Sequence, residues 1–127
     1  MAHSALRARY LSDSVNTASP GHLLTMLYDR LVLDLAQAEQ ALRAGDRETG
    51  TPLLLHAQDI VMELRVTLDT DSWPGAAGLA SIYGFLVTEL VGANIKGDAD
   101  RVAACLGLVE PLRDAWREAL RAATAAT

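Results

Sequence analysis

Apolar residues spaced alternately four and three apart recur in four stretches of this chain, and that spacing admits little besides helices packed along a common seam. In the first stretch Leu24, Tyr28, Leu31, Leu35, Ala38 and Leu42 share one helical face, between Ser19-Pro20 and Gly45. Ser19 can accept from the open N–H groups of a first turn, and Pro20 suits the position where no N–H is needed. Gly45 suits the left-handed residue that follows a last turn. The spacing predicts a helix over 20–44, with Asp34 on its wet face.

Thr51-Pro52 repeats the same punctuation ahead of Leu54, Ala57, Val61, Leu64 and Leu68. A second helix is therefore predicted over 52–69, with Asp59, Glu63 and Arg65 on its wetter side. Leu79, Tyr83, Leu86, Leu90 and Ala93 predict a third over 74–95, ended by Asn94, Lys96 and Gly97. Val102, Leu106, Val109, Leu112, Trp116 and Leu120 predict a fourth over 98–121, capped by Asp98 or Asp100. Pro111 removes one hydrogen bond from it and crowds residue 107, which is glycine, so a kink is expected near 107–111 and not a break. Short connections between such helices favour an antiparallel up-down bundle. Alanine and leucine make up about a third of the chain and aromatic residues 5%, a bias toward helix formers over sheet formers. The fold class is all-α, an antiparallel four-helix bundle over 17–127. The first sixteen residues carry Leu6, Tyr10, Leu11 and Val15 but are cut off by Asn16, which predicts a mobile, detachable amphipathic arm over 1–16.

The net charge of −5 opposes nucleic-acid binding, which needs clustered cations to neutralise phosphates. Arg7 and Arg9 interrupt what would be the apolar region of a signal peptide, so a cytoplasmic protein is expected. The uncharged run Ser72–Thr88 contains Pro74, Gly75, Gly78 and Gly84 and is too short to insert into a membrane. Cys105 falls among Val102, Leu106 and Val109 at helical spacing, where a thiol packs as a small hydrophobe. His3, His22 and His56 show none of the spacings that put two metal ligands on one helical face, and no glycine-rich phosphate loop is present. No cofactor, metal or enzymatic activity is expected. His56 could carry a phosphoryl group in a histidine phosphotransfer bundle, but Leu55-His56-Ala57-Gln58-Asp59 lacks the lysine and glycine such a site keeps nearby. It reads instead as a solvated surface histidine.

Helix 3 is the anomaly, because Trp73–Thr88 carries no charge at all. Two readings stand: it is the most central helix, or it forms an apolar groove for a partner.

The ordered pattern of Tyr10 and Val15, Thr17-Ala18-Ser19-Pro20, Leu23-Leu24, Met26-Leu27-Tyr28-Asp29, Ile60-Val61, Glu63-Leu64, Leu68-Asp69, Ile82-Tyr83, Ala93-Asn94, Leu112-Arg113 and Trp116 resembles the flagellin-specific export chaperones, the FliS family. The resemblance implies a bundle that binds the disordered C-terminal segment of flagellin, prevents its polymerisation in the cytoplasm and delivers it to components of the flagellar type III export gate. It also implies an arm, carrying the tyrosine matched by Tyr10, that covers part of the client surface and is displaced. The client-binding residues are then Tyr10, Leu11 and Val15 on the arm, with Ile60, Leu64, Leu68, Leu79, Tyr83 and Leu86 on the bundle. By the same resemblance Asn94 hydrogen-bonds client backbone, although a role in ending helix 3 fits it equally. Tyr28 and Trp116 read as core anchors. Trp73-Pro74 departs from the family pattern with a bulkier entry to helix 3. A monomer or weak dimer is expected. A helical adaptor for another secretion substrate stays open as the alternative; it would share the bundle and arm but not the Ala93-Asn94 and Trp116 positions.

Overall fold

The computed structural model describes residues 20–125. It consists of α1 (Pro20–Arg43), α2 (Arg47–Thr67), α3 (Ala76–Lys96) and α4 (Ala99–Ala125). Both α1 and α3 pack on α2 and on α4, so α1 and α3 face each other across the diagonal of a square. Arg43 at the end of α1 meets Asp100 at the start of α4, and Arg117 late in α4 meets Asp29 early in α1. Neighbouring helices are therefore antiparallel, and the N-termini of α1 and α3 share one end of the bundle with the C-termini of α2 and α4.

The seams form the core. Tyr28, Leu31, Leu35, Leu54, Ala57, Ile60, Val61, Leu64, Leu86, Leu90, Val102, Cys105 and Val109 are buried in one cluster. Burial pushes the Cys105 thiol up to about 11, as its packing with hydrophobes requires.

The ends of the helices follow the local chemistry. Gly45 adopts φ 74°, its N–H bonds to the Leu42 carbonyl at 3.0 Å, and the Asp46 N–H bonds to the Ala41 carbonyl at 2.8 Å. That pair of bonds closes α1, and the same left-handed residue recurs at Gly97, φ 64°, at the end of α3. Asp98 caps α4 by accepting from the Arg101 N–H at 3.2 Å. The Ser19 cap lies outside the described residues.

Two expectations are corrected. α2 begins at Arg47, five residues before Pro52, because Asp46 and not Thr51 is the cap; it accepts from the Thr49 N–H, which holds its carboxyl below the usual range. Pro52 lies inside the helix, and the bond it forfeits would have been to the carbonyl of Glu48, an exposed residue near the start that water can serve. Arg65 is exposed as expected, but two carboxylates placed on the wet faces of α1 and α2 are buried. Asp34 is 0% exposed and Glu63 4% exposed. α4 runs unbroken through Pro111 to Ala125.

α3 is not the central helix. It is one corner of the square, with Phe85 52% and Ile95 72% exposed on its outer side. By length and composition it could cross a bilayer, with mean hydropathy 1.5 over its most apolar window. In the bundle Leu79, Tyr83, Leu86, Leu90 and Ala93 face the core.

Candidate functional site

At the end of the bundle where α1 and α3 begin, the helices leave an apolar cavity of about 440 Å3. Pro20, Leu23, Leu24 and Leu27 from α1 form one side, and Leu64, Thr67 and Leu68 from α2 form another. Leu79 and Tyr83 from α3 and Trp116 from α4 close it, with Asp69 and Ser72 from the loop at its edge. Its charged liners, Glu63 and Asp69, are both acidic.

The wall is braced by a hydroxyl pair across the diagonal. Tyr28 and Tyr83 share a hydrogen bond at 2.5 Å, and the Trp116 indole, which can only donate, hydrogen-bonds the Tyr28 hydroxyl. Burial, first of all, raises the pKa of both phenols, so both stay neutral. Buried polar atoms are thereby satisfied within the protein, and the cavity keeps an apolar surface.

A second apolar recess of about 400 Å3 adjoins the first, between α3 and α4. Leu79 and Trp116 line both, and Trp73, Gly75, Ile82, Leu112, Ala115 and Ala119 complete the second. Trp73 and Trp116 meet edge to face, with centroids 6.3 Å apart and planes at 88°. The close approach depends on Gly75, since a Cβ there would lie 2.1 Å from the Trp73 ring.

Of the residues expected to bind a client, Leu64, Leu68, Leu79 and Tyr83 come together around the first cavity. Ile60 and Leu86 do not; both are sealed in the core. Asn94 lies fifteen residues beyond Leu79, roughly 22 Å along α3 at 1.5 Å per residue, at the opposite end of the bundle. Its carbonyl accepts from Arg47 Nη2 at 2.6 Å and its Oδ1 from the Thr51 hydroxyl at 3.0 Å, so it ties the end of α3 to the start of α2. Tyr10, Leu11 and Val15 lie outside the described residues.

Sequence reasoning left out Leu23, Leu24, Leu27 and Trp73. The adjacent pair Leu23-Leu24 with Leu27 makes an apolar arc wider than one seam, and that surplus width was the available signal.

His56 is not a freely solvated histidine. Its Nδ1 donates to the buried carboxylate of Asp34, and Arg30 Nε lies 3.2 Å from the other oxygen of that carboxylate. The arrangement sets the ring beside a buried anion, a poor neighbour for an incoming phosphoryl group. Among the described residues no cluster of His, Cys, Asp and Glu could hold a metal ion.

An all-helical bundle with two adjoining apolar recesses at one end has the form of a helical module that can seat apolar side chains. Comparison with known proteins narrows the class. The sequence model described as flagellar protein FliS matches residues 2–123. The flagellar secretion chaperone FliS of Bacillus subtilis strain 168 is 38% identical over 112 residues, covering 88% of this chain and 84% of its own. That of Escherichia coli K12 is 30% identical over 112 residues, covering 87% and 82%. This chain belongs to the FliS family of flagellar secretion chaperones. The fold agrees: the crystal structure of a flagellar chaperone from bacteria superposes with a TM-score of 0.73 at 20% identity, over 93% of this chain and 97% of the other.

Proposed function

We propose that this chain is a cytoplasmic chaperone that holds the C-terminal segment of flagellin, keeps it from polymerising and hands it to the flagellar type III export apparatus. The observation that carries this reading is the apolar cavity bordered by Leu64, Leu68, Leu79 and Tyr83, in a member of a family of secretion chaperones. A disordered client can lay apolar side chains into such a recess as it orders, with the ordering cost offset by buried area. Binding, not catalysis, is the activity. At the other end of α3, Asn94 has no partner for its amide N–H groups among the described residues, which leaves them for the backbone of the same client.

Residues 1–16 complete the proposal as an arm that covers the apolar surface until the client displaces it. Pro20, the first described residue, borders the cavity. Co-purification tests the assignment. Flagellin that keeps its C-terminal segment should be retained by this protein one to one, and flagellin without it should be lost; equal retention of both would discard the proposed client site.

A further inference from the structure

We propose that the outer face of α3 is a self-association surface, on which two copies of this chain pair antiparallel with Thr88 of each copy at the two-fold axis. The inference stands apart from the client reading. At 3.6 residues per turn, Thr88 points directly away from the core face formed by Leu79, Tyr83, Leu86, Leu90 and Ala93. Ser81 and Ile95 lie within roughly 20° of that outward line, and Phe85 and Val91 roughly 60° to either side of it. Phe85, Val91 and Ile95 are exposed, as are Leu55 on α2 and Leu108 on α4, the two helices that flank α3.

Charge selects the occupant. α3 carries two charged side chains: Glu89, turned aside to Arg101 of α4 at 3.0 Å, and Lys96 at its very end. The strip from Ser81 to Ile95 is otherwise uncharged, so a second copy can be set against it without opposing like charges. A membrane surface fits poorly, because the chain has a net charge of −5 and the strip offers no cation to anionic headgroups. The client cavity lies at the other end of the bundle, since Ile95 is roughly 24 Å along α3 from Leu79.

The register follows from side-chain size. Ser81 and Ile95 are equally far from Thr88 in sequence, so in an antiparallel pair each Ile95 stands over the other copy's Ser81, large against small. Phe85 and Val91 are likewise equally spaced but lean to opposite flanks, and each then meets a glycine, Phe85 at Gly92 and Val91 at Gly84. The Arg101 guanidinium fills the place a side chain would take at Gly92 and gives the Phe85 ring a cation to stack on. A strip from Ser81 to Ile95 is roughly 21 Å long. Even with Leu55 and Leu108 added, the contact falls near or below about 1,200 Å2 in total, the low end for specific interfaces. Weak, micromolar pairing is the expected strength.

Sedimentation equilibrium of the full chain over about 5–300 µM tests this. The parent should pass from monomer toward dimer across that range. Thr88→Glu, which opposes two carboxylates at the axis, should weaken pairing about ten-fold or more with helix content unchanged, since Thr88 is exposed. Facing helices roughly 8–10 Å apart bring the Cα atoms at the axis about 4–6 Å apart, within disulfide reach, so Thr88→Cys should cross-link on oxidation. Gln37→Cys, exposed on α1 across the diagonal, should not, and the native Cys105 is buried. A parent that stays monomeric, a Thr88→Glu variant that pairs as the parent does, or equal cross-linking of the two cysteine variants overturns the proposal. Loss of flagellin binding in Thr88→Glu beside a monomeric parent also overturns it, and assigns the strip to the client.

Discussion

Replacing His56 with alanine should destabilise the bundle by about 2 kcal/mol, even though the imidazole is one-third exposed. The cost falls on Asp34, whose side chain is 0% exposed on the core side of α1. Among the described residues Asp34 Oδ1 accepts no hydrogen bond; Arg30 Nε stands 3.2 Å away as an ion pair without hydrogen-bond alignment. The bond from His56 Nδ1 to Oδ2 is thus the one that satisfies this carboxylate. Removing a hydrogen bond to a charged group costs roughly 1.5–3 kcal/mol, and leaving a buried charge without its partner costs up to about 5. Arg30 remains in the variant and water can enter where the ring stood, which places the expected loss near the lower range. For a domain of this size about 2 kcal/mol corresponds to a fall in melting temperature of roughly 6–10 °C. Urea unfolding followed by circular dichroism at neutral pH measures it. Asp34→Asn should cost less, because His56 and Arg30, at 32% and 45% exposure, can both turn to water. The double variant should then be more stable than the sum of the two losses predicts, by about 1–2 kcal/mol. A His56→Ala loss below about 0.5 kcal/mol, with additive singles, would refute the buried pair.

Other expectations follow from the same structure. Tyr28 and Tyr83 have pKa values raised in the folded state, so the unfolded chain releases their protons first and stability should fall as pH rises above about 10; Tyr83→Phe should flatten that fall in an alkaline urea series. Cys105, buried with its thiol pushed up to about 11, should react with a thiol reagent at pH 8 only on unfolding; fast labelling of the native protein would contradict its packing. Deleting residues 1–15 should tighten client binding and raise binding of an apolar dye, since an occluded site binds more weakly by the fraction of time it is open. Protection of arm amides from hydrogen exchange on client binding would overturn that competition.

What the sequence revealed and what it concealed follow from whether a feature is periodic. The seam of α1 could be read because Tyr28, Leu31, Leu35, Ala38 and Leu42 repeat along one helix and need no knowledge of its neighbours. Asp34 sits on that same face, three residues after Leu31 and four before Ala38, yet its charge suggested water. The group that permits its burial, His56, belongs to another helix and comes beside it only in the folded bundle. Glu63 illustrates the same limit, three residues after the buried Ile60. The start of α2 was misplaced because Pro52 is a strong signal that the helix tolerates one turn in, while Asp46 caps it more quietly. The cavity was half legible: Leu64, Leu68, Leu79 and Tyr83 belong to seams that converge on it, whereas Ile60 and Leu86 belong to the same seams one or two turns deeper and are sealed. Periodicity gives the face of a residue but not its depth along the bundle axis.

Tryptophan emission offers the most direct test of the central claim. The chain has two tryptophans, and Trp73 and Trp116 both stand at the paired recesses. Adding the C-terminal segment of flagellin should shift their emission to shorter wavelength in proportion to the fraction bound, as water leaves the rings, and Leu68→Glu should weaken that response at least ten-fold. Tight binding of the segment, shown by calorimetry, with the emission of both tryptophans unchanged would place the client elsewhere on the bundle and contradict this account.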